Sequence, residues 1–432
     1  MIERYSLPPM RELWAEEARF RRWIEVEGAV ARAQGELGLI PEEAAQAIVE
    51  GLKQVDIPRL ISWAKEIEAE IGHDVLSFVR ALEEVLGDAG RYVHFGLTSY
   101  DVVDTARSMA MRDALDLLIS ALDELRGVVL RRAREHKLSP MVGRTHGVHA
   151  EPITLGLKFL LWYAELSRNR ERLLSAKETI SVGKISGSVG TYAHLTPEVE
   201  RRVCAELGLR PAPVSNQALQ RDRHAQVLTA LAILGGTLEK MATEVRNLHR
   251  TEIGELREGR PHGSSSMPHK RNPSTCETVS GLARLLRTNA LAALENMAVW
   301  HEQDLSRSSV ERVVIPDSFL ACHFMLRRMT EVMENLVVDE GRMQKNLELT
   351  RGAVYSQALM LALVARGMSR REAHELVGRL AMAAQRGEGT LRELALGDPE
   401  CSRFLPREEI LRITEPGYFL RWVEEIFARF SE

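Results

Sequence analysis

The feature that most restricts this chain is a helical period sustained over stretches longer than an ordinary globular helix. Val103, Ala106, Ala110, Ala114, Leu117, Ala121, Leu125 and Val128 recur every three or four residues and trace one apolar stripe over 99–135. The small residues on it permit close approach of neighbouring helices. Thr98 and Ser99 can cap its start, where Asp101 and Asp104 suit the positive end of the helix dipole. A second long helix is predicted after Glu151-Pro152, with Pro152 in its first turn and Leu155, Phe159, Trp162 and Leu166 on one face. A third covers 221–256, striped by Ala225, Leu228, Leu231, Leu238, Met241, Val245 and Leu248 and weakened locally at Gly235-Gly236. Two more are predicted over 274–299 and 316–349. Alternation of β-branched residues is nearly absent.

This pattern predicts an all-α fold: a central elongated five-helix bundle over 98–350, flanked by two smaller helical domains at 1–97 and 351–432. The connecting loops are expected at 136–151, 181–220, 257–273 and 300–316. With 432 residues, 45% of them hydrophobic, the chain can bury a large core. A narrow bundle still exposes apolar surface unless its faces pair with other bundles, so an oligomer is expected over a large monomer. Basic and acidic side chains nearly balance, 57 against 61, which gives no sign of a nucleic-acid or membrane partner. The four cysteines are scattered, no apolar run could span a bilayer, and the N-terminal MIERYSLPPMRELW lacks a secretory core. A cytoplasmic protein is the expectation.

Two segments carry chemistry. The stretch from Gly263 to Pro273, GSSSMPHKRNP, offers three serines followed by Lys270, Arg271 and Asn272, immediately before a helix. Local composition leaves a solvated connector and an anion-binding loop equally open. The second segment, GRTHGVHAEP over 143–152, puts His146 and His149 in a Gly-containing turn. A metal site is disfavoured there, because no third ligand set is evident and a turn does not present both rings on one helix face. A hydrogen-bonded structural pair of histidines is the plain alternative.

GSSSMPHKRNP resembles the GSSxMPxKxNP signature of the fumarase/aspartase superfamily. RTHGVHAEP, the segment YVHFGLTSYDVVDTA around His94 and GHDV around His73 narrow the resemblance to its adenylosuccinate lyase family. Carboxymuconate-cyclising members share the PHKRNP form and a similar TSxDxxDT helix without the RTHGxHA histidines. Fumarases, aspartases and argininosuccinate lyases usually have Gly, Ala or Gln in place of His269. The resemblance implies a homotetramer whose active sites combine residues of three subunits, a small-molecule nucleotide as substrate, and no cofactor or metal.

It also implies a reaction: β-elimination of fumarate from adenylosuccinate and from the succinylated aminoimidazole carboxamide ribotide. The family pattern makes Ser264 the base and His146 the acid. His73, Asp74, His94, Thr98, Ser99, Ser265, Lys270 and Asn272 are implied as substrate contacts, as are Arg4, Tyr5, Gln217, Ser308 and Arg312. Outside the motifs each has a structural alternative, with Arg4 a solvated charge, Tyr5 a packing aromatic and Arg312 a surface ion pair. In HEQDLSRSSVER, Gln303 stands where the family pattern has Arg, and Arg307 is the neighbour able to compensate. The rivals are another lyase or cycloisomerase of the superfamily and a noncatalytic helical scaffold.

Overall fold

The computed structural model describes residues 1–430 apart from 260–261 and 264–265, and for His262 the backbone only. Six helices of more than twenty residues dominate: α1 (Glu16–Glu36), α2 (Ser99–Glu135), α3 (Leu155–Ile180), α4 (Asp222–His249), α5 (Ser274–Glu295) and α6 (Ser308–Glu334). The chain divides into two compact units, each drawn from three stretches. The first comprises Met1–Asp123, Arg168–Leu238 and Val279–Arg328; the second comprises Glu124–Ser167, Glu239–Thr278 and Met329–Glu432. Helices α2 to α6 each begin in one unit and end in the other.

The five expected long helices are all present, with corrected ends. Helix α2 is buried on more than the predicted stripe, since Val102, Met109, Met111, Leu115, Leu118, Leu122 and Val129 are also inside. Its exposed face is narrow, carried by Asp116, Ser120, Glu124, Gly127 and Arg131. Asp101 and Asp104 are fully buried and answer to cations rather than to the helix dipole, as described below. Helix α4 ends at His249, and Leu256–Arg257 instead pairs antiparallel with Val337–Val338. Helix α5 stops at Glu295. The fifth helix, expected from Pro316, begins eight residues earlier at Ser308, carries Pro316 inside it and ends at Glu334. Proline removes one backbone donor there without ending the helix. A shorter helix, Glu340–Glu348, takes up the rest of the predicted span, and the expected 181–220 loop contains the helix Pro197–Glu206.

The largest correction lies between α2 and α3. Instead of a loop followed by a helix at Pro152, β1 (Pro140–Thr145) and β2 (Val148–Thr154) form an antiparallel hairpin, with Val142 opposite Pro152. A two-stranded sheet consists only of edges, which is where a strand tolerates proline.

In the first unit, α1 packs with shorter helices through Trp23 and Phe78, whose rings lie 5.2 Å apart. Phe78 and Leu82 are fully buried, each contributing about 1.5–3 kcal/mol by leaving water. The second unit has its own core of Leu359, Leu363, Leu376, Leu391 and Ile410.

Candidate active site

Asp101 and Asp104, one helical turn apart on α2, organise the first unit's polar interior. Asp101 accepts from the Thr98 backbone amide at 2.8 Å, so the acid caps the turn that Thr98 was expected to cap. It also accepts from Ser186 N at 3.0 Å and pairs with the fully buried Lys184. Asp104 receives both terminal nitrogens of Arg221, at 2.7 and 2.9 Å, while Arg221 Nε donates to Glu311 at 2.7 Å. Burial alone would raise the Asp104 and Glu311 carboxyls, but the charge of Arg221, joined at Glu311 by that of Arg107, holds both below the carboxylate range. His224, buried beside them, is pushed down to about 3 by burial and Arg221 and is a neutral ring.

Around this frame stand the first unit's predicted contacts. Gln217 Nε2 reaches Thr98 Oγ1 at 3.5 Å, and Ser99 begins α2. His73 caps the helix Asp74–Leu86, its Nδ1 accepting from Leu76 N at 3.2 Å. Arg312 donates to Asp74 at 2.6 Å; burial would raise the Asp74 carboxyl, yet Arg312 holds it below its usual value. The two border a cavity of about 160 Å³ together with Trp14, Arg19 and Arg107. Ser308 opens α6. Tyr5 packs edge-on to Phe324 at 5.3 Å, whereas Arg4 is exposed. Arg307 does not take over from the absent arginine at 303: it is buried over the Tyr100 ring at 4.9 Å and donates to Gln303 itself.

His94 is held by a residue that sequence reasoning missed. Glu27, on α1 and 2% exposed, meets His94 Nδ1 at 2.7 Å and accepts from its backbone N at 3.0 Å. Burial would lower the His94 pKa, but the charge and hydrogen bond of Glu27 outweigh it, so the ring titrates above its ordinary value. The available signal was an acid inside an apolar row, Phe20, Trp23, Glu27, Ala31, Gln34, all buried.

In the second unit, His146 and Gly147 are the two turn residues of the β1–β2 hairpin, with Thr145 opposite Val148. Both have positive φ, 55° and 76°, which makes the turn type I′. The His146 side chain is exposed at the tip. The hairpin is anchored one step back, where Arg144 makes paired bonds of 2.9 and 2.7 Å to the fully buried Glu255. His149 is half-buried, its pKa lowered by burial and by Arg144.

Glu255 stands just before the serine loop, whose base is pinned three times. Glu258, 3% exposed, accepts the Cys276 amide at 2.8 Å at the start of α5. Gly259 lies so close to Asn335 that an added Cβ would come within 1.8 Å of its carbonyl oxygen. His262 pairs with Asn272, and Gly263 with Arg271, as a short antiparallel ladder. Lys270 is exposed on the loop and Asn272 is half-buried. Ser264 and Ser265 lie outside the described residues.

Comparison with known proteins gives the chain its relatives. Residues 3–286 match the family described as Lyase, and residues 352–430 match the one described as Adenylosuccinate lyase C-terminus. The adenylosuccinate lyase of Thermotoga maritima is 45% identical over all of both chains. That of Deinococcus radiodurans is 47% identical, again over all of both. Among solved structures, 3-carboxy-cis,cis-muconate lactonizing enzyme from Pseudomonas putida superposes with a TM-score of 0.89 at 31% identity, over 98% of this chain and 96% of that one. Fumarate lyase from Mesorhizobium sp. BNC1 gives 0.89 at 30%, over 98% and 97%. Shared architecture thus extends across several lyase chemistries, but the higher identities fall on one of them, and this chain belongs to the adenylosuccinate lyase family of the fumarase/aspartase superfamily.

Proposed function

We propose that the chain splits adenylosuccinate into AMP and fumarate, and performs the same elimination on the succinylated aminoimidazole carboxamide ribotide to give the free carboxamide ribotide. The observation that carries this reading is full-length identity of 45–47% to adenylosuccinate lyases, in a chain that presents His146 at an exposed hairpin tip.

The elimination removes a proton from the succinyl carbon next to a carboxylate and breaks the bond between the neighbouring carbon and nitrogen. The bond's electron pair leaves on the nitrogen, which takes up a proton. His146 is assigned as the acid, the role the family pattern gives it; an imidazolium there would donate its proton to the departing nitrogen. Ser264 is assigned as the base; its alkoxide would need nearby cationic charge and backbone donors in a site closed to water. Negative charge building on the succinyl carboxylate calls for preorganised donors, the role given to Ser265, Lys270 and Asn272. His73, Asp74, His94, Thr98, Ser99, Gln217, Ser308 and Arg312 are assigned to substrate contact, and Arg4 and Tyr5 to the nucleotide. Arg312 offers a fork of donors suited to phosphate once the substrate competes with Asp74 for it.

A homotetramer with shared sites belongs to the same reading. It is supported by apolar side chains exposed along the long helices, Leu161, Ile233, Leu291 and Leu294 among them. A cytoplasmic location is supported by scattered cysteines and by the lack, among the described residues, of a helix long and apolar enough to cross a membrane.

The test is an absorbance assay of the purified protein with each ribotide. Release of fumarate and AMP from adenylosuccinate is expected. Turnover of a carboxymuconate with neither ribotide consumed would overturn the assignment.

A further inference from the structure

The turn that carries His94 is secured by α1. Glu27 takes both the backbone N–H and the ring Nδ1 of His94, at 3.0 and 2.7 Å. Gln34, two turns further along the same helix and 1% exposed, donates Nε2 to the Phe95 carbonyl at 2.8 Å. The next residue, Gly96, has φ +78° and sits where a Cβ would come within 2.8 Å of the His194 carbonyl oxygen. His94 itself has φ +60°, a conformation that a residue with a side chain keeps only where its surroundings over-determine it. Two buried polar side chains on one helix thus grip two consecutive residues of a strained turn. A structural role alone could be met by the backbone bonds; the contact to the ring is additional.

We propose that Glu27 is a positioning residue of the reaction: by engaging the His94 backbone and Nδ1 it fixes the ring and leaves Nε2–H as the donor offered to an anionic group of the substrate. Gln34 locks the following carbonyl and so the direction of the turn. The inference rests on the reading of His94 as a substrate contact. The charged groups facing the ring are Glu27 from α1, Asp101 from α2 and Glu83 from the helix Asp74–Leu86. All three are acids, although Asp101 is itself paired with Lys184. They favour the imidazolium against the opposing effect of burial.

The experiment compares the full-length wild-type protein with Glu27→Gln, which keeps an acceptor for the His94 amide but removes the charge. A loss of kcat/KM for adenylosuccinate of about tenfold at pH 8.5 is expected. It should fall mainly on KM, with kcat within about twofold, and the variant should recover toward wild type at pH 6. Glu27→Asp keeps the charge and should leave the alkaline limb in place even if KM rises.

Thermal unfolding without substrate is the second readout. Because the folded-state pKa of His94 is raised, its contribution is complete below about pH 6.5 and is lost as pH rises through the folded value. Wild type should therefore lose stability on that side where Glu27→Gln does not. If Glu27→Gln does not fold, His94→Gln carries the test and must lose the same pH-dependent stability and the same alkaline limb. An alkaline limb shared by wild type and Glu27→Gln, or an equal loss at every pH, would overturn the proposal. A wild type inert toward adenylosuccinate whose pH-dependent stability still requires Glu27 would instead overturn the functional reading alone.

Discussion

His94 and His146 share a backbone conformation, with φ of 60° and 55°, and differ in nearly everything else. His94 belongs to the first unit, where its side chain is 18% exposed and its ring and amide are both claimed by a buried carboxylate. His146 belongs to the second, at the exposed tip of a type I′ turn, and among the described residues it is fixed through the backbone and through Arg144 two residues before it. The first ring has its orientation fixed and its charged form favoured before any ligand arrives. At the second, the chain supplies a placement at an exposed tip. Such a division suits the proposed chemistry: a donor that binds an anion benefits from a constant charge, whereas an acid that gives up a proton in each turnover must be able to cycle.

The largest expected effect tests the catalytic side of this contrast. His146→Gln should lower turnover of adenylosuccinate by about 10²–10⁴-fold, the usual worth of a positioned acid. Its thermal midpoint should stay within about a degree of wild type, as is normal for an exposed position without buried partners. Steady-state kinetics and calorimetry on the same preparation decide the matter. Near-normal turnover would remove His146 from the mechanism, and a midpoint several degrees lower would mean that its ring also stabilises the fold, as that of His94 is expected to.

The contrast was half legible in the sequence, for physical reasons. A helix's existence is written in its periodicity, so all five long helices could be read from their stripes. Helix ends answer to tertiary partners: nothing local says that α6 runs through Pro316, or that Leu256 leaves α4's line to pair with Val338. The hairpin was missed because Pro152 before an apolar run reads as the first turn of a helix, while the better clue, His146-Gly147 able to adopt two successive positive φ values, is only two residues long. His146 itself was found from its motif. Glu27 was not, because its partner is 67 positions away in the chain and no spacing rule connects them. The buried Asp104–Arg221–Glu311 group was hidden for the same reason, and Asp104 looked like an ordinary acid at a helix start.

A smaller effect tests the structural side. His94→Gly keeps the backbone able to adopt positive φ but leaves Glu27, 2% exposed, with the amide as its only remaining bond to residue 94. Breaking a buried ion pair costs about 3–5 kcal/mol. The ring is partly exposed and one bond survives, so about 2–3 kcal/mol is expected at pH 6. The gap from wild type should be smaller at pH 9 than at pH 6, since the wild-type imidazolium loses its proton as pH rises through its raised folded-state value. Calorimetry at the two pH values checks it, and a gap independent of pH would mean that Glu27 stabilises the turn through the backbone alone.

The smallest effect comes from making the same replacement at the other histidine. His146→Gly removes the strain of positive φ from a residue with a side chain, a gain of about 1–2 kcal/mol at most. It adds the unfolded-state freedom of glycine, a loss of about 0.5–1 kcal/mol. No buried partner is abandoned, so the net change should lie within about 1 kcal/mol of zero, on either side. Turnover should nevertheless fall as far as in His146→Gln, because the acid is gone in both. One substitution at two sites with matching φ would then separate them by stability, lost at 94 and kept at 146. If His146→Gly unfolded several degrees early, the tip would have to be gripped by more than the type I′ backbone, and the two histidines would differ in degree of preorganisation rather than in kind.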